Sequence, residues 1–200
     1  MRNFNYQVVL FFLILQLTAC GGGGESSSPA ENIVTDPIVV VPVPDNSIGV
    51  LLDSPIEGIK YESTSNSGVT NPSGEFTFNP SEIVSFYIGD VLIAEISPEF
   101  IVTPLLLMSD SDPKSEVVLN FIRLIQTLDN DNNPDNGINI TEEIAQQVTT
   151  AVGNDTLSFQ MSTDTFENSS IVQNILINTS NSTLVSKDVA YDHLIQSLEN

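Results

Sequence analysis

The chain has few of the residues that usually carry metal or nucleophilic chemistry. Its 200 residues contain one cysteine, Cys20, one histidine, His193, and no tryptophan. A single cysteine excludes both an intramolecular disulfide and a metal cluster built from several thiolates. Histidine is the side chain whose charge ordinarily changes between pH 5 and 8, so His193 is the one conventional general base near neutral pH.

Basic residues are also scarce. Five lysine and arginine residues stand against 26 aspartate and glutamate residues, which gives a formal net charge of -21. Such a surface repels phosphate backbones, so we expect no nucleic-acid binding. It attracts cations, and paired carboxylates suit divalent ions. Acidic residues also keep an exposed protein soluble, and the composition alone leaves both explanations open.

The N-terminal residues have the pattern of a secretory signal. Arg2 precedes an unbroken apolar run at 8–15, which is too short to span a membrane. Leu17-Thr18-Ala19-Cys20 follows and resembles the lipobox of bacterial lipoproteins. The resemblance implies removal of residues 1–19, acylation of Cys20 and, because glycine follows the cysteine, an outer-membrane location. An ordinary signal peptide with a chance cysteine is the alternative.

Residues 20–47 are predicted to be a tether. Glycine, serine and proline are frequent there, and no helix or strand period is present. Such a composition is typical of a flexible linker with extended, polyproline-like portions. The apolar run at 38–43 is the exception, and the alternative is that it adds an edge strand to the following domain.

Residues 48–104 alternate short apolar stretches with turn residues. Phe76 and Phe78 alternate with polar residues, as do Val84, Phe86 and Ile88, so each strand offers one apolar face. Asn-Pro, Ser-Gly and Gly-Asp pairs punctuate the segment. We therefore predict a small antiparallel β-sandwich, with strands at 48–52, 58–63, 68–70, 75–78, 83–88 and 91–96.

This β region also resembles a known family. Residues 53–58 read Asp-Ser-Pro-Ile-Glu-Gly, and residues 68–78 include Thr-Asn-Pro-Ser-Gly-Glu-Phe. They are similar to the carboxypeptidase-regulatory-like, transthyretin-type sandwich, although Asn71 replaces the usual aspartate. The resemblance implies a structural or surface-display module that contacts protein or glycan, and it transfers no catalytic residue.

Residues 105–200 are predicted to be mainly helical. Apolar residues at helical spacing indicate helices at 113–128, begun by Asp112 and Pro113, and at 141–152, ended by Gly153. A third helix is indicated at Ile171 to Leu176, and a fourth follows Ser186 as its cap. Alternation at 157–161 favours a short strand. The fold class is therefore α+β. Residues 120–138 and 190–194 resemble segments of Gram-negative lipoproteins and surface proteins, which imply no activity.

The loop at 129–137 is a candidate metal-binding site. Asp129, Asp131, Asn133 and Asp135 place an oxygen-bearing side chain at every second position, as at the start of a calcium-binding EF-hand loop. Pro134 stands where the sharp-turn glycine belongs, and no acidic residue follows at the twelfth position, so an EF-hand proper is excluded. A looser calcium loop and a solvated helix connection remain the two interpretations.

Catalysis has little support in the sequence. His193 lies on a predicted amphipathic helix, and no Gly-x-Ser-x-Gly nucleophile elbow is present. We therefore expect a non-enzymatic, lipid-anchored display, adhesion or binding module with a protein or glycan partner. The alternatives are a periplasmic accessory protein in envelope assembly and a hydrolase that uses a pair of carboxylates.

Replacing Cys20 with alanine tests the anchor. The Cys20→Ala chain should incorporate no lipid label and should leave the membrane fraction, because two or more acyl chains are needed for stable anchoring. Metabolic labelling with a fatty-acid analogue, followed by membrane fractionation, measures both. A Cys20→Ala chain that still sediments with membranes would contradict the assignment.

Overall fold

Strands fill the first half of the described chain and helices fill the second. The computed structural model describes residues 46–199, so the predicted signal segment, Cys20 and the tether up to residue 45 lie outside the described residues. The strands are β1 (Ser47–Leu51), β2 (Ile56–Glu57), β3 (Lys60–Glu62), β4 (Ser67–Val69), β5 (Glu75–Phe78), β6 (Val84–Ile88), β7 (Val91–Ile96), β8 (Ile101–Val102) and β9 (Ile138–Asn139). The helices are α1 (Pro104–Leu107), α2 (Glu116–Thr127), α3 (Glu142–Val152), α4 (Thr163–Glu167), α5 (Ser170–Asn178) and α6 (Lys187–Glu199).

Two sheets are joined through aromatic side chains. One has the order β5-β1-β8 and the other the order β4-β3-β6-β7. The ring of Phe76 on β5 meets Phe86 on β6 edge-on at 5.1 Å between centroids, and it meets Tyr61 on β3 at 5.8 Å. Edge-to-face pairs of this kind add to the stabilisation from apolar burial. The predicted α+β class with a sandwich-like region is confirmed.

All six predicted strands are present, and three short ones were not predicted. β8 runs parallel to β1, and β2 runs parallel to β9, which follows the acidic loop. Each of the three has only two residues, too few for an alternation pattern to be recognised. Their pairings depend on partners far along the chain, so tertiary contacts create them.

The helix predicted at 113–128 begins later. Its N-cap is Ser115, whose hydroxyl accepts the Val118 amide proton, and α2 starts at Glu116. The Asp112 carboxylate instead accepts the Lys114 amide proton in the turn before the helix. α3 has its predicted bounds and ends at Gly153, whose φ of +61° suits glycine.

The strand predicted at 157–161 is wrong. The segment is irregular and buries Leu157 and Phe159, and it pairs with no strand in the described part of the chain. The side-chain amide of Asn120 donates to the backbone carbonyls of Phe159 and Met161, at 3.0 and 2.9 Å. A buried side chain on α2 therefore supplies the hydrogen bonds that a neighbouring strand would otherwise supply.

The hydrophobic core is continuous between the strand-rich part of the described chain and its helical part, which begins near residue 104. The buried hydrophobic residues form one cluster that includes both sheets and α1 to α6. Within residues 46–199, no helix has the length and apolar character needed to cross a membrane.

Candidate functional site

The turn that ends β1 holds an unusual pair of residues. Leu52 and Pro55 form an isolated bridge, so Asp53 and Ser54 occupy the tip of a tight turn. Asp53 is fully buried. Ser54 has a φ of +60°, a conformation that non-glycine residues seldom adopt. Such outliers persist only where surrounding contacts hold them, and they cluster at functional sites.

The carboxylate of Asp53 is bound by groups from two helices. Gln126 on α2 donates to one oxygen at 3.0 Å, and Ser197 on α6 donates to the other at 3.5 Å. His193 Nε2 lies 3.9 Å from the same second oxygen. Burial raises the pKa of Asp53 to about 6, although the Gln126 hydrogen bond and the His193 charge lower it in part.

The His193 ring joins this turn to the acidic loop. Its Nε2 lies 3.2 Å from Ser54 Oγ and 3.3 Å from the carbonyl oxygen of Asp53. Its Nδ1 lies 3.2 Å from the Asp135 carboxylate. The ring is 7 % exposed and the Asp135 side chain is 78 % exposed. Nε2 therefore faces a buried partner, Asp53, and Nδ1 faces a solvated one, Asp135.

Ser54, His193 and Asp135 are connected in the order that serine hydrolases use. Two features of the same turn oppose nucleophilic chemistry. Residue 55 is proline, so the residue after Ser54 has no N–H to donate to an oxyanion. Nε2 also faces two acceptor oxygens of Asp53, which favour a proton on the nitrogen that would have to accept one from the serine.

The predicted calcium residues are only partly brought together. The backbone N–H of Asn133 donates to Asp129 Oδ2 at 2.8 Å and to Asp131 Oδ1 at 3.0 Å. The other oxygen of Asp129 accepts the Asn139 amide proton, and that of Asp131 accepts from the Asn136 side chain. These carboxylates therefore organise the loop backbone.

Asp135 points out of that group and towards His193. Burial raises the pKa of Asp129, whereas the Asn136 hydrogen bond lowers that of Asp131. Within residues 46–199, no three histidine, cysteine, aspartate or glutamate residues are grouped as metal ligands would be. The calcium site stays a prediction.

A polar cleft of about 320 Å³ lies between the turn and the acidic loop. Its walls are joined by Ile138 N–H, which donates to the Pro55 carbonyl at 2.9 Å, and by the β2–β9 pair. Its lining has two carboxylates and no lysine, arginine or histidine. The residues are Pro55, Glu57, Pro72, Asn130, Asp131, Asn136, Gly137, Ile138 and Asn139.

Sequence reasoning identified His193 and the acidic loop but assigned no role to Asp53, Ser54 or Gln126. One signal was present: Asp53 comes directly after Leu51 and Leu52, an apolar pair at the end of β1, where a buried carboxylate is unexpected. Its partners lie 73 and 140 positions along the chain, so only the tertiary structure could identify them.

No family model, curated protein or solved structure matches this chain significantly. The resemblances to lipoproteins and to the transthyretin-type sandwich therefore stay predictions.

Asp53→Asn should alter the pH dependence of stability. The pKa of Asp53 is raised in the folded protein, so the folded state binds its proton more tightly than the unfolded chain between about pH 4 and pH 6. The free energy of unfolding therefore gains up to roughly 2–3 kcal/mol from this group as the pH falls through that window.

Denaturant unfolding of wild type and Asp53→Asn from pH 7.5 to pH 4 measures this contribution. The wild type should gain stability relative to the variant as the pH falls. The exposed Asp155→Asn serves as the control and should change by less than about 0.5 kcal/mol. A constant difference between wild type and Asp53→Asn would contradict the raised pKa.

Proposed function

We propose that this protein is a lipid-anchored, extracytoplasmic module without catalytic activity, held at the outer membrane through Cys20. Its acidic cleft binds a basic segment of a partner protein. The single observation that carries the binding role is the cleft itself, because the acidic loop and the Asp53–Pro55 turn meet there to form a concave polar surface.

The chemistry of the cleft supports a basic ligand. The lining residues include the acidic Glu57 and Asp131 and the amide residues Asn130, Asn136 and Asn139. Carboxylates accept from lysine or arginine side chains, and amides can bind the peptide backbone beside them. The net charge of -21 adds long-range attraction for the same ligand.

The lipobox supports the anchored location. The described chain begins at Asn46, roughly 25 residues after Cys20. A chain of that length spans up to several tens of Å when extended, which is enough to separate a folded domain from lipid headgroups.

Glu57→Gln should weaken binding of a lysine- and arginine-rich peptide. Glu57 lines the cleft, and its carboxylate enters none of the hydrogen bonds or ion pairs found in residues 46–199, so the change removes one charge with little effect on folding. Calorimetry at physiological salt should show a loss of affinity of about fivefold or more, corresponding to about 1 kcal/mol.

Glu143→Gln is the matched control, because it removes the same charge from an exposed position on α3 outside the cleft. It should change the affinity by less than twofold. Equal losses in the two variants would show that only net charge attracts the peptide, and they would contradict a role for the cleft.

Serine-dependent hydrolysis is the second candidate. It is favoured by the Ser54–His193–Asp135 chain, with 3.2 Å at each contact, and by the φ of Ser54. Pro55 and the acceptor oxygens around Nε2 oppose it, and it therefore ranks below the binding role.

A fluorophosphonate probe separates the two candidates, because it reacts covalently with activated serines. We expect intact-mass analysis of the purified chain to show no adduct after treatment, with a known serine hydrolase labelled in parallel. An adduct that is absent from Ser54→Ala would overturn the non-enzymatic assignment and favour the second candidate.

A further inference from the structure

We propose that a second cleft, between the N-terminal part of α2 and α6, binds a neutral saccharide. This α2–α6 cleft has a volume of about 560 Å³, within the roughly 300–1,000 Å³ that is typical of small-molecule pockets. It shares no lining residue with the acidic cleft of the proposed function, so the two sites can be tested separately. The lining residues are Lys114, Leu119, Lys187, Asp188, Tyr191 and Asp192.

The α2–α6 cleft contains positive charge that is scarce elsewhere. Residues 46–199 contain four lysine and arginine residues, and two of them, Lys114 and Lys187, line this cleft. Asp188 and Asp192 line it as well, so the formal charge of the lining is zero in a chain whose net charge is -21. The acidic cleft, in contrast, is lined by carboxylates without any lysine or arginine.

Both lysine ammonium groups are held in place and keep donors for a ligand. Lys114 Nζ lies 4.8 Å from the centroid of the Tyr191 ring, in a cation–π contact, and makes no ion pair within the described part of the chain. Lys187 Nζ donates to Thr163 Oγ1 at 2.8 Å and lies 3.5 Å from the Asp164 carboxylate. An ammonium group has three N–H donors, so each lysine retains at least one.

Helix α6 supplies acceptors beside these donors. Asp188 and Asp192 lie four positions apart on α6, where side chains are neighbours on the helix surface. Neither carboxylate enters a hydrogen bond or an ion pair in the described part of the chain, so both are open to a ligand. Tyr191 adds an aromatic ring with a polar hydroxyl, and Leu119 adds an apolar side chain from α2.

The charges in and around the cleft favour a neutral ligand. The net charge of -21 repels an anion at long range, and the two lysines of the lining repel a cation at short range. A neutral saccharide meets neither barrier. Its hydroxyl groups both donate and accept, so they can bind the carboxylates and the ammonium groups at once, while the C–H face of a sugar ring packs against Tyr191 and Leu119.

A nuclear magnetic resonance titration of the purified full chain tests the site. The probes are neutral disaccharides of glucose, galactose, mannose and N-acetylglucosamine, each added to millimolar concentration. At least one of them should shift the amide signals of Leu119 and Tyr191 and leave that of Ile138, in the acidic cleft, unchanged. A panel that shifts no signal of the α2–α6 cleft, or that shifts the signals of both clefts equally, would overturn the proposal.

Lys114→Gln and Asp192→Asn determine the charge of the ligand, because they change the charge of the lining in opposite directions. Both should weaken binding of the responsive disaccharide about fivefold or more, since each removes a charged hydrogen-bonding partner. The wild-type affinity should be independent of salt. An anionic ligand would instead bind more tightly to Asp192→Asn, and a cationic ligand to Lys114→Gln. Either result would overturn a neutral ligand.

Lys60→Gln is the matched control for Lys114→Gln. Lys60 Nζ lies over the Tyr87 ring at 5.3 Å from its centroid, an arrangement similar to that of Lys114, but Lys60 lies outside the α2–α6 cleft. Lys60→Gln should change the affinity by less than twofold, and equal losses in the two lysine variants would contradict the site. Denaturant unfolding checks that each variant is folded. Asp192 lies on a different segment from Lys114, so a folding defect in one variant leaves the other as a test.

Discussion

A buried carboxylate at the end of β1 is the constraint on which much of this structure depends. Asp53 has no exposure to solvent, and a carboxylate in that position is costly unless donors surround it. The donors come from α2 and α6, the first through Gln126 and the second through Ser197 and His193. The need to satisfy one side chain therefore fixes two helices against the sandwich-like region.

Helix α2 also holds other parts of the helical half through buried polar side chains. Nine of its twelve residues are buried, including polar ones that carry hydrogen bonds to irregular segments. Asn120 donates to the backbone of the irregular segment at Phe159 and Met161. Arg123 donates to the Val185 carbonyl at 2.7 Å and pairs with Glu167 at 2.9 Å. Segments without a sheet or helix of their own are held by side chains of one central helix.

The carboxylates of the acidic loop have two kinds of partner. Asp129 and Asp131 accept backbone protons within the loop, whereas Asp135 reaches outward to His193. The carboxylates that most suggested metal binding therefore have structural partners, and the remaining one makes the contact between loop and helix. The loop that lines the candidate binding cleft is therefore held both by its own carboxylates and by a contact with α6.

Local patterns predicted the regular elements well, because hydrophobic periodicity and helix capping depend on residues that are neighbours in the sequence. The alternation around Phe76 and Val84 gave the strands, and Thr141 and Gly153 gave the bounds of α3. The patterns failed where a segment took its hydrogen bonds from a distant residue, as β2 does from β9 and as residues 157–161 do from Asn120. Nothing in the sequence marks the polar residues on α2 as buried, although most of them are.

The sequence by itself determined the α+β class, the positions of the longer strands and helices, the acidic character of the surface and the hypothesis of an anchor at Cys20. Only the tertiary structure brought Asp53, Ser54, Asp135 and His193 together. Their separations along the chain exceed the range of any helical or strand period. Their contacts follow from packing α6 against the end of β1, which places His193 and Ser197 beside the buried Asp53 carboxylate.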